Sequence, residues 1–134
     1  AARFLRAQGR TGGRIYLGRD TRASGASLER ALAGGLSHEG FTPVSLGVVP
    51  TPAVSLALRT APAELGVVIT ASHNPAADNG IKFFGANGTK LTDEQESQIE
   101  QLLPEARSGT DLSPSDCFDA ERLYIDTAAR LLPA

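Results

Sequence analysis

Ser72, His73 and Asn74, followed by Pro75, are the residues of this chain best suited to chemistry. A serine hydroxyl can take up a transferable group, and an imidazole can give or accept a proton near neutral pH. The Asn-Pro pair forces a turn that lifts the hydroxyl away from a regular hydrogen-bond ladder. Lys82 follows on the next apolar stretch, and Arg19 and Arg22 flank the end of an earlier one. A serine among lysine, arginine, asparagine and backbone amides is the setting a phosphoserine needs. Its phosphate carries about −1.5 to −2 charges at neutral pH, and its oxygens demand charge-assisted donors. Each residue also has a plainer reading. Ser72 could be a turn serine and Lys82 a solvated strand lysine, while Arg19 and Arg22 could pair with Asp20 at the surface. His38, late in a predicted helix, reads as a surface residue favoured by the helix dipole. Thr51 and Pro52 read as structural.

These side chains need a scaffold that brings distant segments together. Residues 65–70 form a continuously apolar stretch ending in Thr70, which predicts a strand covered on both faces. The serine loop therefore sits where a buried strand ends, which is where ligands gather in open α/β sheets. Residues 14–18, 44–49 and 80–84 read as further strands, with a turn over 18–22 and another over 86–89. Leu28, Leu32 and Leu36 recur at helical spacing between Ser24 and Gly40. Gly34-Gly35 within that helix costs about 1 kcal/mol for each glycine relative to alanine, which a small-residue face packed on a sheet would explain. Residues 3–8 read as the end of a helix closed by Gly9. Residues 53–58 read as a short helix begun by proline. Thr92 is placed to cap a helix running to Leu103 and ended by Pro104. Residues 105–119 read as a loop or linker, and 120–132 as a last amphipathic helix with Leu123, Thr127 and Leu131 on one stripe. Strands alternating with helices predict an α/β domain, a three-layer αβα arrangement around a mixed, mainly parallel sheet.

The bulk composition fits one globular domain. Of 134 residues, 41% are hydrophobic and 21% charged, and the formal net charge is −2. Those values argue against disorder. Without a basic excess, and with aromatics at 5% and no tryptophan, nucleic acid is not an expected partner. No apolar run reaches the ~18 residues a membrane span needs, so no membrane is expected either. The first residues lack the apolar core of a signal peptide. Cys117 is the one cysteine, which excludes an intrachain disulfide and reads as a free thiol. The expected location is cytoplasmic.

Several blocks together carry a resemblance. Thr70-Ala71-Ser72-His73-Asn74-Pro75 with Asp78-Asn79-Gly80-Ile81-Lys82-Phe83-Phe84 resembles the active-site loop of the α-D-phosphohexomutase superfamily. The block from Asp78 to Phe84, followed by Gly88-Thr89-Lys90-Leu91, is similar to the phosphoglucosamine mutases of bacteria. Gly18-Arg19-Asp20-Thr21-Arg22-Ala23-Ser24-Gly25 and Val49-Pro50-Thr51-Pro52-Ala53 match other family blocks in order and spacing. The resemblance covers roughly residues 15–104, extending less securely to Tyr124-Ile125. It implies domain I of a phosphohexose mutase working through a phosphoenzyme. The serine gives its phosphoryl group to the sugar, and the bisphosphate intermediate reorients and returns its other phosphate. On that carry-over Ser72 is the phosphoserine, and its phosphate is one ligand of Mg2+. Lys82 contacts the transferring group, and His73 and Asn74 shape the loop, with His73 also available for proton transfer. Arg19 and Arg22 join Asn74 as phosphate-binding residues. Positioning and charge neutralisation do most of the work in such a transfer, with the metal as Lewis acid.

The family's Asp-Gly-Asp metal loop, sugar-recognition loop and C-terminal phosphate loop are absent from these residues. The N-terminal block with a further active-site arginine is absent too. The expectation is a single domain over residues 1–134, partial at its start, with 105–134 leading toward a missing second domain. Such a domain would be inactive alone and would need the remaining domains and a hexose phosphate, glucosamine phosphate by resemblance. A missing first strand would leave an open sheet edge. The alternatives are a phosphomannomutase or phosphoglucomutase domain and a non-catalytic sugar-phosphate-binding fragment. A hydrolase built on Ser72, His73 and Asp78 is disfavoured, because adjacent Ser and His rarely face one another and no Gly-x-Ser-x-Gly elbow is present.

Overall fold

The computed structural model describes residues 1–103, 110–114 and 116–132. Five strands form one sheet in the order β4-β3-β1-β2-β5, from β1 (Arg14–Arg19), β2 (Thr42–Val48), β3 (Leu65–Ile69), β4 (Ile81–Gly85) and β5 (Asp116–Cys117). All neighbours pair parallel except β3 with β4. The helices are α1 (Ala2–Ala7), α2 (Gly25–His38), α3 (Thr51–Thr60), α4 (Asp93–Gln101) and α5 (Ala120–Ala129).

Alternation along the strands divides the interior into two cores. Ile15, Leu17, Leu65 and Val67 point to one face, where they meet Phe4 and Leu5 of α1, Ala33 and Leu36 of α2, and Ile99 of α4. Tyr16, Val44, Leu46 and Val68 point to the other, against Val54, Ala57 and Leu58 of α3 and Ala120 of α5. The expected three-layer αβα architecture with a mixed, mainly parallel sheet is what forms. Every residue of β3 is buried, as its unbroken apolar run requires. Gly18 and Gly66 let α3 approach closely: a Cβ on Gly18 would stand 2.6 Å from Val54 and one on Gly66 2.7 Å from Leu58.

Differences from the sequence reading have local causes. β2 spans Thr42–Val48 rather than 44–49, because Thr42 already pairs with Arg14. The predicted linker holds β5, a two-residue strand paired with Val44 and Ser45. Phe118, next to it, stacks on Tyr16 with ring centroids 5.6 Å apart. α4 carries the capping box at Thr92 but ends at Gln101; Pro104 and residues 105–109 lie outside the described residues. α5 ends at Ala129, with Leu123 and Thr127 half-buried but Leu131 81% exposed, so the stripe does not reach Leu131. The close approach at Gly34 is not to the sheet. A Cβ there would fall 2.0 Å from the Thr110 carbonyl oxygen, because residues 110–112 cross α2, with the Leu112 amide donating to the Arg30 carbonyl. Among the described residues no helix is long and apolar enough to cross a membrane.

Candidate functional site

The chain leaves β1 for β2 on one side and returns through α3 to β3 on the other, so the strand order reverses beside β1. The carboxyl ends of β1 and β3 meet there, and ligand crevices form at such points. The Asp20 amide donates to the Ile69 carbonyl at 3.1 Å, continuing the β1–β3 pairing past the last residues of both strands. Two loops leave this point, residues 20–24 after β1 and 70–80 after β3. Because β4 runs antiparallel to β3, the second loop turns straight back. It is closed by the Thr70 amide donating to the Gly80 carbonyl at 2.9 Å. Residue 80 must be small, since a Cβ there would lie 2.9 Å from the Thr70 carbonyl oxygen.

Ser72 is exposed at the start of this loop and has φ +56°, the one non-glycine residue with positive φ among those described. A left-handed residue other than glycine costs of order 1–3 kcal/mol and persists only where its surroundings over-determine it. Here they do. The Ser72 amide donates to Thr70 Oγ1 at 3.0 Å, and that hydroxyl donates to Asp20 Oδ2 at 2.8 Å. The Arg22 amide donates to Asp20 Oδ1 and Arg22 Nε to Asp20 Oδ2, both at 3.0 Å. Arg22 Nη2 donates to the Ser72 and Asn74 carbonyls at 2.9 Å each, and Nη1 to the Asp78 carbonyl at 3.0 Å and to the Pro75 carbonyl. Farther along, Asn79 Nδ2 donates to Ser24 Oγ and Asn79 Oδ1 accepts from the Gly80 amide, tying the loop to the start of α2. The Ser72 hydroxyl itself makes no hydrogen bond among the described residues and faces solvent.

Asp20 is the anionic centre of this arrangement. Removal from water by itself raises its carboxyl. The hydrogen bonds from the Arg22 amide, the Thr70 hydroxyl and the Arg22 guanidinium, with the guanidinium charge, outweigh that and hold it below the ordinary aspartate value.

The expected site residues separate into groups. Ser72, Asn74 and Arg22 are brought together, but Asn74 takes part through its backbone. Arg22, expected to bind phosphate, here spends its guanidinium on the protein itself. A guanidinium has five N–H donors, and here all five are taken by Asp20 and by four loop carbonyls. Its side chain is 9% exposed. Arg19 lies on the α2 side of the sheet, where its Nε donates to buried Glu29 at 3.1 Å. Glu29 also accepts from Ser45 Oγ at 2.6 Å. The terminal nitrogens of Arg19 have no partner among the described residues. Lys82 stands opposite Val68, and so on the α3 side, half-buried and without a hydrogen bond or ion pair among the described residues. It reaches the same end of the β3–β4 pair but makes no hydrogen bond to the loop. His73 is exposed in the loop and has no partner there.

Thr70, Asn79 and Ser24 were not singled out from sequence as site-forming residues. The available signal was faint: a threonine closing an apolar strand, and an Asp-x-Arg spacing that permits a side-chain-to-backbone turn. Among the described residues no group of three or more His, Cys, Asp or Glu converges to hold a metal ion. Of the carboxylates here, Asp20 is committed to Arg22 and Thr70, and Asp78 is exposed in the loop.

Similarity to known proteins identifies the family. The chain is 50% identical over 119 residues to a phosphoglucosamine mutase of Deinococcus deserti, covering 84% of this chain and 27% of that protein. It is 47% identical over 126 residues to one from Bartonella tribocorum, covering 90% of this chain and 28% of the relative. The chain thus spans little more than a quarter of the length of these curated relatives. A crystal structure of a putative phosphomannomutase from Thermus thermophilus superposes with a TM-score of 0.83 at 36% identity, covering 98% of this chain and 30% of that one. With residues 1–109 matching the family model for phosphoglucomutase/phosphomannomutase, alpha/beta/alpha domain I, the chain belongs to that family as its first domain.

Proposed function

We propose that this domain carries the transferable phosphate of a sugar-phosphate mutase that interconverts glucosamine 6-phosphate and glucosamine 1-phosphate, with Ser72 as the phosphoryl carrier and a sugar bisphosphate as intermediate. One observation supports this above the others. The Ser72 hydroxyl stands exposed and unengaged on a backbone fixed in a left-handed turn at the crevice between β1 and β3. A group that must receive and release a dianion gains from such fixed placement. Its own amide is taken by Thr70, so donors to the phosphate come from elsewhere. Arg19 offers its terminal guanidinium nitrogens, Lys82 offers its ammonium to the transferring group, and the Asn74 side chain lies in the same loop. His73 is the available proton-transfer group. Mg2+ would act as Lewis acid with the Ser72 phosphate as one ligand, its other ligands coming from outside these residues. Turnover needs further domains on this reading, and the isolated chain is inactive.

The choice of sugar is supported by the curated relatives, which are phosphoglucosamine mutases. A phosphomannomutase or phosphoglucomutase remains the second reading, favoured by the Thermus thermophilus structure. Ser72→Ala in the full-length protein decides the mechanism: turnover should fall to background with the fold intact, and peptide mass spectrometry should find phosphate on Ser72 of the unmutated protein. Wild-type turnover in the variant would refute the assignment. Coupled assays with glucosamine, mannose and glucose phosphates decide the substrate, and a strong preference for mannose or glucose phosphate would overturn the first choice.

A further inference from the structure

We infer that Arg22 is a positioning residue for phosphoryl transfer at Ser72, acting with Asp20 and Thr70 as a lock on the loop backbone and touching neither sugar nor phosphate. The inference rests on the reading of Ser72 as phosphoryl carrier. Three observations carry it. All five N–H groups of the guanidinium are spent inside the protein, one on Asp20 and four on carbonyls spread over Ser72, Asn74, Pro75 and Asp78. The side chain is 9% exposed, although the loop it holds is exposed throughout residues 72–78. The residue whose carbonyl it grips first, Ser72, is the one held at positive φ, where an L-residue does not rest unaided.

Planarity matters to this role. A flat fork of five donors can gather four carbonyls arranged around it, whereas an ammonium has three donors directed tetrahedrally. Asp20 holds the fork from behind through Nε and the Arg22 amide. Asp20 also reaches the loop from its other end, through Thr70 Oγ1 to the Ser72 amide. The Ser72 peptide is therefore gripped on both sides, at its N–H by Thr70 and at its carbonyl by Arg22. Releasing one grip lets the hydroxyl wander. A displacement of about 1 Å of a reacting group costs on the order of 100-fold in rate.

The experiment uses the full-length protein with a hexose-phosphate substrate. It measures kcat and KM for the wild type, Ser72→Ala, Arg22→Ala, Arg22→Lys and Thr70→Val. Arg22→Ala and Arg22→Lys should each lower kcat on the order of 100-fold, with KM for the sugar phosphate within about 3-fold of wild type, because the guanidinium binds no substrate. Added guanidinium ion should restore part of the kcat of Arg22→Ala, and ammonium ion at equal concentration should not. Thr70→Val, which keeps side-chain shape and removes one hydroxyl, should lower kcat about 10-fold at unchanged KM; it tests the lock if Arg22→Ala fails to fold. A KM rise at unchanged kcat in the Arg22 variants would make Arg22 a ligand contact and overturn the inference. Wild-type kcat in Arg22→Lys and Thr70→Val would also overturn it. Turnover retained in Ser72→Ala would instead refute the underlying reading of Ser72, so the two failures are separable.

Discussion

Removing Glu29 should reveal how firmly the candidate phosphate ligand Arg19 is tied to the domain interior. Glu29 is buried in α2, 3.1 Å from Arg19 Nε, and accepts the Ser45 hydroxyl at 2.6 Å. At 3.1 Å and an effective dielectric of about 20, the attraction between unit charges is about 5 kcal/mol before desolvation. Desolvating a carboxylate whose side chain is 9% exposed takes back much of that. A hydrogen bond to a charged acceptor adds about 1.5–3 kcal/mol. Glu29→Ala strands both partners. Arg19, 24% exposed, can partly rehydrate, which puts the loss near the lower end of the range for a broken buried pair, about 3 kcal/mol. Glu29→Gln keeps the shape and an acceptor oxygen and loses the charge, for about 1 kcal/mol. Urea unfolding followed by far-ultraviolet circular dichroism measures both, compared at unchanged denaturant slope. If both variants fall within about 0.5 kcal/mol of the parent, or if glutamine is as damaging as alanine, the account of this buried pair is wrong.

Four further outcomes are expected. Ser72→Gly should leave stability unchanged or raise it by up to about 1 kcal/mol, since glycine relieves the positive φ, whereas Ser72→Val should lower it by more than about 1 kcal/mol; thermal and urea midpoints check both. Asp20 has a folded-state pKa below its unfolded value. Its contribution to stability is therefore complete above the ordinary aspartate value near ~3.9 and is lost as pH falls through the lower folded value. Asp20→Asn should flatten that part of the acid limb in urea midpoints recorded against pH. Gly34→Ala should push residues 110–112 off α2, and amide exchange at Leu112, bonded to the Arg30 carbonyl, should accelerate more than exchange in β3. Thr92→Ala should cost about 1 kcal/mol by removing the α4 cap.

The legible parts of the fold were those set by local chemistry. Residues 65–70 read as a doubly covered strand, observed over Leu65–Ile69, because their apolar run admits little else, and Thr92 read as a cap because the hydrogen bonds it makes are three residues away or fewer. β5 was illegible. Asp116 and Cys117 are two exposed residues without periodicity, made a strand by pairing with Val44 and Ser45. The candidate site divides in the same way. Ser72 and its loop stood out by residue type and family resemblance, and the cationic character of Arg22 was plain. Its use was not, because charge is visible in sequence while the convergence of four carbonyls some fifty residues away is not. The aspartate that orients Arg22 likewise read as a surface ion-pair partner. Only the closeness of the β1 and β3 ends gives it a threonine and an amide to serve.

The carbonyls that Arg22 grips belong to every amino acid alike. The loop's shape is therefore written largely at positions 20, 22 and 70, with Asn79 and Gly80 closing it, while the side chains of 72, 73 and 74 stand exposed at its rim. The two can change independently. Substitutions at 73–77 can change the side chains the loop presents without undoing the turn, as long as the backbone can follow the same path. If the proposed function holds, a lineage exploring new phosphate acceptors would need to retain a handful of framework residues and could sample freely at the rim. A laboratory library built on this domain could be divided along the same line, with the lock fixed and the loop side chains varied.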